Sequence, residues 1–528
     1  MKQMQGLDTV FVSMERPIAP VHIGSVLIYD PSTAEGGFVR FKNILSFIET
    51  RLQLCDTMRQ KMVKVPFGID YPYWVQDSNF DIEYHVRHVA LPKPGDWRQL
   101  CIQAARIFAR PLDLSRPPWE ITVVEGLDNI KGVPKGSYAM LTKVHHAAID
   151  GVSGVDMMNA LHTMTAGDDM QLPPDNWRPE ADPSQIGMFA RGYARSFLNP
   201  IRQASAMRHT VPGMLRVAKG LVKKEFDFNA LIKAPKTRFN GTVSPHRMFD
   251  SKTFKLKDIK RIRTLAAGSK LNDVMLSIVG GAMREYMENY NELPDSSVTA
   301  MAPISVRDDS EKNTMGNQVA AMFVPLGSQI PSAQERMKYV TEETIKAKTF
   351  TGALGARQMT EMAKLAPAPL MNLGAMVSTR LKLADHIKPF INTVVTNVPG
   401  PPVPIYSAGA KLIGLHGMLC LVDGVKLGHV VHSYVDEVTV GFTACRSAIP
   451  DPDYYSECLQ NSFERHLEAA AELEVRAKER AATMEASKTE RVKAAKPKSK
   501  PRKVSMKTTK TVKTPAVKTK ANGTSKQP

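Results

Sequence analysis

The chain has 528 residues, 43% of them hydrophobic, so it is long enough to bury two ordinary cores. Its formal charge of +18 does not indicate a basic folded region, because residues 488–528 hold 14 Lys or Arg against one Glu and account for most of it. The five cysteines are scattered and odd in number, with no C-x-x-C pair, which excludes a disulfide framework and disfavours a cysteine zinc site. A reducing compartment fits this composition best.

Residues 1–167 form the first predicted domain, a mixture of strands and helices. Apolar residues recur at helical spacing over residues 38–54, and residues 81–91 alternate like a half-buried strand. A mostly apolar run of strand length, residues 136–144, is followed by a turn and then by a predicted helix over residues 155–165. We therefore expect a loop that joins a buried strand to a helix.

The most informative residues lie in that loop, where His145, His146, Asp150 and Gly151 follow the pattern H-H-x-x-x-D-G. An imidazole at the end of a buried strand is partly desolvated and still reaches a ligand, and its charge changes near neutral pH. Neighbouring residues on an extended strand point to opposite faces, so we predict His146 as a general base and His145 as its packing or positioning neighbour. Gly151 can adopt a positive φ, and Asp150 is interpreted as a scaffold.

Two histidines beside a turn are also compatible with a structural role or with metal ligation. Metal ligation is disfavoured because the two rings are expected to point apart, and neither an H-E-x-x-H pattern nor a cysteine pair completes a site. We therefore predict no metal and no cofactor.

Residues 168–236 are predicted to connect two domains. Asp, Pro, Asn and Ser dominate residues 168–185, which is typical of a linker. In residues 186–233, apolar side chains mix with Arg and Lys as in a basic amphipathic helix. Such a segment can lie in a membrane interface or pack on its own protein as a crossover, and we prefer the crossover by a small margin.

Residues 237–466 form the second predicted domain, followed by a charged helix over residues 467–487. The pattern predicts a long helix over residues 272–290 with one apolar face. Runs of β-branched and apolar residues predict three further strands, at residues 298–306, 428–435 and 437–444.

The Lys-rich tail, residues 488–528, has scarcely an apolar anchor, so we predict that it is disordered. It could contact anionic lipid head groups or nucleic acid, or remain solvated without a specific partner. The N-terminus lacks the apolar core of a signal peptide, and no window of about 18 apolar residues occurs. We therefore expect a cytoplasmic protein whose membrane contact is peripheral.

Several blocks of residues, ordered across both predicted domains, resemble one family. Besides the His-His block they are Leu7-Asp8-Thr9-Val10-Phe11 with Glu15, Phe80-Asp81, His85-Val86-Arg87-His88, Leu91-Pro92, Pro94-Gly95, Pro111-Leu112-Asp113, Arg116-Pro117-Pro118-Trp119-Glu120, Asn240-Gly241, Asn272-Asp273-Val274, Pro303-Ile304-Ser305-Val306-Arg307, Gly316-Asn317 and Thr396-Asn397-Val398-Pro399-Gly400. From Leu7 to about His466 the chain resembles the bacterial bifunctional wax ester synthase/diacylglycerol acyltransferases. Pro118 departs from the family, which usually has Leu there, and this concerns only the local shape near the site.

The resemblance implies an α/β fold similar to chloramphenicol acetyltransferase and to peptide-synthetase condensation domains. Two related halves would form a V, with a central tunnel and the His-His block at its middle. It also implies transfer of a long-chain acyl group from acyl-CoA to diacylglycerol or to a long-chain alcohol. His146 would take the hydroxyl proton, the oxygen would attack the thioester, and CoA thiolate would leave without a covalent acyl-enzyme.

Three more site residues are expected in the second domain. Asn272, at a predicted helix start, could orient the acyl group or the oxyanion, or could simply cap the helix. Asp273 and Arg307 are expected to hold the second domain against the active-site loop, with Arg307 as the partner of Asp150.

Two other functions remain open at this stage. One is a condensation-type acyltransferase that uses another thioester or acceptor, and the other is a lipid-body binding or tethering protein with a vestigial site. A peripheral membrane or lipid-body surface and a homodimer are further partners compatible with the sequence.

Overall fold

The computed structural model describes residues 1–4, 6–149, 151–167, 172–179, 181–197, 234–305, 319–354 and 381–494. The chain divides into two compact units, residues 1–473 and residues 474–528. All of the sheets that the described residues form lie in the first unit. In chain order, the strands of the described residues are β1 (Lys2–Gln3), β2 (His22–Asp30), β3 (Gln60–Val63), β4 (Tyr73–Gln76), β5 (Val86–Ala90), β6 (Trp119–Glu125), β7 (Tyr138–His145), β8 (Arg247–Lys255), β9 (Thr299–Ser305), β10 (Val319–Pro325), β11 (Thr393–Pro399), β12 (Tyr406–Ser407), β13 (Ala410–Met418), β14 (Leu427–Tyr434) and β15 (Glu437–Cys445).

Helices alternate with these strands along most of the chain. They are α1 (Gly6–Met14), α2 (Phe41–Glu49), α3 (Ile82–His85), α4 (Trp97–Phe108), α5 (Gly151–Leu161), α6 (Gln185–Phe197), α7 (Leu256–Ile262), α8 (Leu271–Asn289), α9 (Ala333–Leu354), α10 (Leu383–His386) and α11 (Pro452–Ala494). The mixed α/β class predicted from the sequence is therefore confirmed.

Two six-stranded sheets form the framework of the first unit. The first sheet has the order β12-β13-β2-β7-β6-β5, and the second has the order β10-β9-β11-β14-β15-β8. Most neighbours are antiparallel, and the parallel pairs are β5 with β6 in the first sheet and β11 with β9 and β14 in the second. A small antiparallel sheet has the order β1-β4-β3.

Each large sheet has its own apolar core. On one face of the first sheet, α4 buries Leu100 and Phe108 against Val26 and Leu141. The opposite face packs against α2 and α5. In the second half, α8 is buried along most of its length because apolar residues recur on nearly all of its faces. The prediction of a single apolar face for this helix is therefore wrong.

The sheets do not follow a simple division of the sequence at residue 237. Strands β12 and β13 come from the second half of the chain, yet β13 pairs with β2 in the first sheet. This pairing satisfies the backbone groups along an edge of β2 that β7 leaves free.

Several expected elements differ from the observed ones. The helical spacing over residues 38–54 corresponds to a shorter α-helix, Phe41–Glu49, and a 3-10 helix, Leu52–Leu54. Within residues 81–91, Ile82–His85 form a helix because the side chain of Asp81 accepts a hydrogen bond from the backbone N–H of Glu83 at 3.0 Å, and the strand begins only at Val86. Helix α5 begins and ends four residues earlier than the predicted 155–165. The predicted charged helix 467–487 is part of the continuous helix α11.

Of the predicted amphipathic segment 186–233, residues up to Phe197 form α6, and residues 198–233 lie outside the described part of the chain. The predicted disordered tail falls largely outside it too, since the description ends at residue 494. No helix among the described residues is both long and apolar enough to cross a bilayer.

Candidate active site

The His-His block lies where β7 ends, in the interior of the first sheet. Strand β7 pairs with β2 on one side and with β6 on the other, so both edges of the strand are satisfied. His145 is the last residue of the strand and pairs with His22 of β2. Its backbone N–H donates to the carbonyl of Pro118 at 2.9 Å. Strand β7 therefore holds the two histidines in place, at the point where the sheet ends and the turn begins.

His145 points into the protein and is only 1% exposed. Its Nδ1 accepts a hydrogen bond from the backbone N–H of Ala147 at 3.1 Å. Its Nε2 lies 3.5 Å from the carboxylate of Glu15, which is too long and too poorly aligned for a full hydrogen bond. The ring of His145 therefore contacts only buried or partly buried groups of the protein among the described residues.

His146 begins a 3-10 turn, His146–Ala148, and is half-buried. Its backbone N–H donates to the carbonyl of Val21 at 3.0 Å, and its ring stacks on Phe11 with 4.0 Å between ring centroids. Its Nδ1 is enclosed and meets no partner of good geometry among the described residues. The ring is therefore held by stacking and by its backbone.

Burial lowers the pKa of His146 below the ordinary value of 6.5, and the neighbouring His145 acts in the same direction. The backbone carbonyl of His146 itself favours the protonated ring, but burial outweighs it. At neutral pH the ring is therefore uncharged and can accept a proton.

The Trp119-Glu120 block supports β7 from the neighbouring strand. The indole N–H of Trp119 donates to the carbonyl of Met58 at 2.9 Å, and Glu120 pairs with the buried Lys143 at 2.8 Å. Burial lowers the pKa of Lys143, and the charge of Glu120 opposes that shift. Pro118 contributes a carbonyl, which any residue has, so its departure from the family leaves the contact with His145 intact.

Two of the expected site residues, Asp150 and Arg307, lie outside the described residues. Gly151 begins α5 directly after the turn. The expected pairing of Asp150 with Arg307 therefore stays a prediction.

Asn272 and Asp273 lie in the first turn of α8, but neither of them is the N-cap residue of that helix. The capping residue is Lys270, whose backbone N–H donates to the carboxylate of Asp273 at 2.8 Å. Asn272 is half-buried at the second helical position. Among the described residues, no hydrogen bond or ion pair joins this turn to His145 or His146. The described bond of Asp273 is thus local to its own helix.

Several residues that hold the two histidines were not predicted as site residues. Phe11 and Glu15 stand in the first family block, which was a signal that could have led to them. The carbonyls of Val21 and Pro118 have no sequence signal, because every residue carries one. The part of the chain described here contains no cluster of three or more metal-ligating side chains. The absence of a cofactor remains a prediction.

Comparisons with known proteins identify the family of the chain. Residues 4–275 match the wax ester synthase/diacylglycerol acyltransferase catalytic domain, and residues 315–466 match the WS/DGAT C-terminal domain. A putative diacylglycerol O-acyltransferase of Mycobacterium tuberculosis is 28% identical over 473 residues, which cover 88% of this chain and 90% of that protein. A probable diacylglycerol O-acyltransferase of the same species is 30% identical over 85% of this chain and 95% of its own length.

Solved structures show the same fold. The wax ester synthase/diacylglycerol acyltransferase of Marinobacter aquaeolei matches with a TM-score of 0.62 at 22% identity, over 89% of this chain and all of that one. The trichothecene 15-O-acetyltransferase of Fusarium sporotrichioides matches with a TM-score of 0.55 at 9% identity, over 88% and 94% of the two chains. Because the family profiles span both halves and the His-His block, the chain belongs to the wax ester synthase/diacylglycerol acyltransferase family and is an acyltransferase.

Proposed function

We propose that the protein transfers a long-chain acyl group from acyl-CoA to the hydroxyl of diacylglycerol, of a long-chain alcohol, or of both. The single observation that carries this proposal is the setting of His146, an imidazole at a strand end that burial keeps uncharged and that has no hydrogen-bonded side-chain partner among the described residues. The names of the relatives supply the two acceptor classes. The products would be triacylglycerol and wax ester.

In the proposed reaction His146 acts as a general base. It takes the proton of the acceptor hydroxyl while the oxygen attacks the thioester carbonyl, and the tetrahedral oxyanion then collapses and expels CoA thiolate. The proton on His146 is available to the departing sulfur, so the ring returns to its neutral state. No covalent acyl-enzyme is required, and such proton transfer typically contributes about 10² to 10⁴-fold.

Other expected residues keep supporting roles in this proposal. Asn272, in the first turn of a 19-residue helix, is suited to orient the acyl group or the oxyanion, since a helix N-terminus favours negative charge. Asp150, Gly151 and Arg307 would shape the active-site loop, with Asp273 beside Asn272. A tunnel between the two halves would admit acyl-CoA from one side and the acceptor from the other.

The test is CoA release from palmitoyl-CoA by purified wild-type protein, with hexadecanol and dioleoylglycerol offered separately. We expect release that depends on an acceptor, that disappears in His146→Ala, and that persists in the matched variant His88→Ala, whose side chain is 37% exposed. No release with either acceptor would contradict the proposal. A condensation-type reaction with another acceptor would then be the next candidate.

A membrane or lipid-body surface is the partner that we propose for an exposed apolar patch. Phe67 is 90% exposed and Ile186 of α6 is 84% exposed, and the ring of Phe67 lies 6.0 Å from that of Phe189. Helix α6 packs against residues 65–70 through the buried side chain of Met188. The same residues approach Gly192 so closely that a larger side chain there would crowd them. Exposed Lys64 and Arg191 on the same two segments suit anionic head groups.

Flotation with phosphatidylglycerol-containing vesicles tests this surface. We expect the double variant Phe67→Ser/Ile186→Ser to lose most of its vesicle binding, whereas Phe390→Ser, at a side chain that is 53% exposed elsewhere, keeps it. Equal binding by both variants would contradict the assignment.

A variant that ends at residue 487 lacks the Lys-rich tail. Its vesicle binding, compared with that of the full chain, measures whether the tail contributes to lipid binding, and its DNA binding, compared in the same way, measures whether the tail binds nucleic acid. Size-exclusion chromatography with light scattering tests the expected homodimer.

A further inference from the structure

Residues 15–21, which we name the strap, run from the end of α1 to the start of β2 and pass beside both active-site histidines. The carboxylate of Glu15 lies 3.5 Å from Nε2 of His145 and is itself only 12% exposed. Its other oxygen accepts a hydrogen bond from the backbone N–H of Val21 at 3.4 Å. The carbonyl of Val21 in turn accepts from the backbone N–H of His146 at 3.0 Å. One short segment thus contacts the ring of one histidine and the backbone of the other.

Residues from the second half of the protein also contact the strap. Arg16 pairs with Asp423 at 2.7 Å, and the other oxygen of Asp423 accepts from the backbone N–H of Val243 at 3.0 Å. The buried Arg247 of β8 donates to the carbonyl of Ile18 at 2.9 Å. Ala19 belongs to the apolar core of the second half. The strap is therefore anchored in the half of the molecule that does not carry the His-His block.

The bonds around His145 determine which nitrogen carries its proton. Because Nδ1 accepts from the backbone N–H of Ala147, a neutral ring must carry its proton on Nε2, and that nitrogen faces Glu15. Ala147 belongs to the same 3-10 turn as His146. The carboxylate of Glu15 faces Nε2 of His145 at 3.5 Å without a full hydrogen bond, so its negative charge attracts the N–H of that ring. This attraction also steadies the turn from which His146 projects.

We propose that Glu15 is a positioning residue for the His-His block, and that the strap is the element through which the second half sets the orientation of His146. This inference rests on the proposed function of His146 as the base. Glu15 exchanges no proton with substrate, so it affects the rate through geometry and not through acyl-CoA binding.

The kinetic test compares Glu15→Leu, which removes the acceptor oxygen, with Glu15→Gln, which keeps an oxygen acceptor without the charge. We expect Glu15→Leu to lower kcat by about 10 to 100-fold with the KM for palmitoyl-CoA within about threefold, since a small misplacement of a catalytic group costs rates of this order. Glu15→Gln should keep kcat within about threefold, because an amide oxygen of the same reach still presents a partial negative charge to Nε2–H. The matched control is Glu35→Gln, at an exposed glutamate.

Arg16→Met removes the ion pair between the strap and Asp423 of the second half and leaves Glu15 unchanged. We expect it to lower kcat by about 3 to 10-fold at unchanged KM, since the pair with Asp423 is partly exposed and contributes modestly. An equal loss in Glu15→Gln and Glu15→Leu, a rise in KM that accounts for the loss, or a kcat within about twofold of wild type in Glu15→Leu would each overturn the inference.

A spectroscopic measurement separates failure of this inference from failure of the proposed function. In protein labelled with ¹⁵N-histidine, the resonances missing from a His145→Gln variant assign His145 among the 13 histidines. We expect the Nε2-protonated tautomer in the wild type and a mixed or altered state in Glu15→Leu, whatever the enzymatic activity. A wild-type protein without acyltransferase activity would refute the proposed function, whereas an unchanged His145 signal in Glu15→Leu would refute the positioning role. Thermal unfolding of each variant identifies any that fails to fold.

Discussion

His146 and His466 are both enclosed imidazoles with lowered pKa values, yet their surroundings differ. His466, on α11, uses both nitrogens: Nε2 bonds the hydroxyl of Ser277 at 2.8 Å, and Nδ1–H donates to the carbonyl of Ser462 at 2.6 Å. His146 is half-buried and, among the described residues, has no side-chain partner of this kind. A lowered pKa alone therefore does not mark a base. In the proposed mechanism, the feature that distinguishes His146 is a ring nitrogen that remains available to a substrate proton.

The largest expected effect sharpens this comparison by making the same substitution at both sites. His146→Ala should lower kcat by about 10² to 10⁴-fold, because the general base is removed, while the midpoint of thermal unfolding stays within a few degrees. CoA release and calorimetry measure the two quantities. A variant that loses stability and keeps its rate would place His146 among the structural histidines.

Acidification should destabilise the fold through the structural histidines. Burial lowers the pKa of both His429 and His466 to about 3, whereas the unfolded chain has the ordinary value of 6.5. Between these values the unfolded state binds protons that the native state does not, so stability falls as pH drops below 6.5. Each group contributes about 1.4 kcal/mol per pH unit in that window.

Urea unfolding at pH 7.0 and pH 5.5 measures this dependence. We expect His429→Gln to be less stable than wild type at pH 7.0 but to lose less further stability on acidification, because one of the groups has been removed. A pH dependence identical to that of wild type would show that His429 does not contribute. Above pH 6.5 the stability of both proteins should be nearly flat with respect to these groups.

His466→Ala is the structural counterpart of His146→Ala and should have the opposite signature. It leaves the buried hydroxyl of Ser277 without its partner, which costs about 1 to 3 kcal/mol of unfolding free energy. The carbonyl of Ser462 lies within α11 and keeps its helical backbone bond. The kcat per folded molecule should stay within about twofold. Urea unfolding and active-site-normalised rates test this, and a loss of kcat at unchanged stability would contradict it.

The elements predicted well from the sequence are those whose signal is local. Helix α8, at Leu271–Asn289, differs from its predicted bounds by one residue at each end, because a largely apolar run of 19 residues is too long for a strand. The apolar run before His145 likewise predicted β7. The pairing of β13 with β2 was not predicted, since strands almost 400 residues apart carry no local sign of their pairing.

The site was predictable to a similar extent. The motif located His145 and His146. Strand alternation was expected to separate their surroundings, but the strand ends at His145 and His146 begins a 3-10 turn, so alternation does not account for the difference. The contacts that hold them come from Phe11, Glu15 and two backbone carbonyls, all of which depend on tertiary folding. The roles of Asp150 and Arg307 stay predictions because both lie outside the described residues.

The smallest expected effect concerns the stack of Phe11 on His146, which has no counterpart at His466. The two rings lie 4.0 Å apart at 21°, and such an aromatic pair contributes about 0.5 to 1.5 kcal/mol beyond its buried area. Phe11→Leu keeps an apolar side chain of similar reach but removes the flat ring, so kcat should fall by about 2 to 10-fold. Phe11→Tyr keeps the ring and is the matched control, expected to stay near wild type. If Phe11→Leu leaves kcat unchanged, the strap and the backbone contacts of His146 alone orient its ring. His146 would then differ from His466 only in having a ring nitrogen without a hydrogen-bond partner among the described residues.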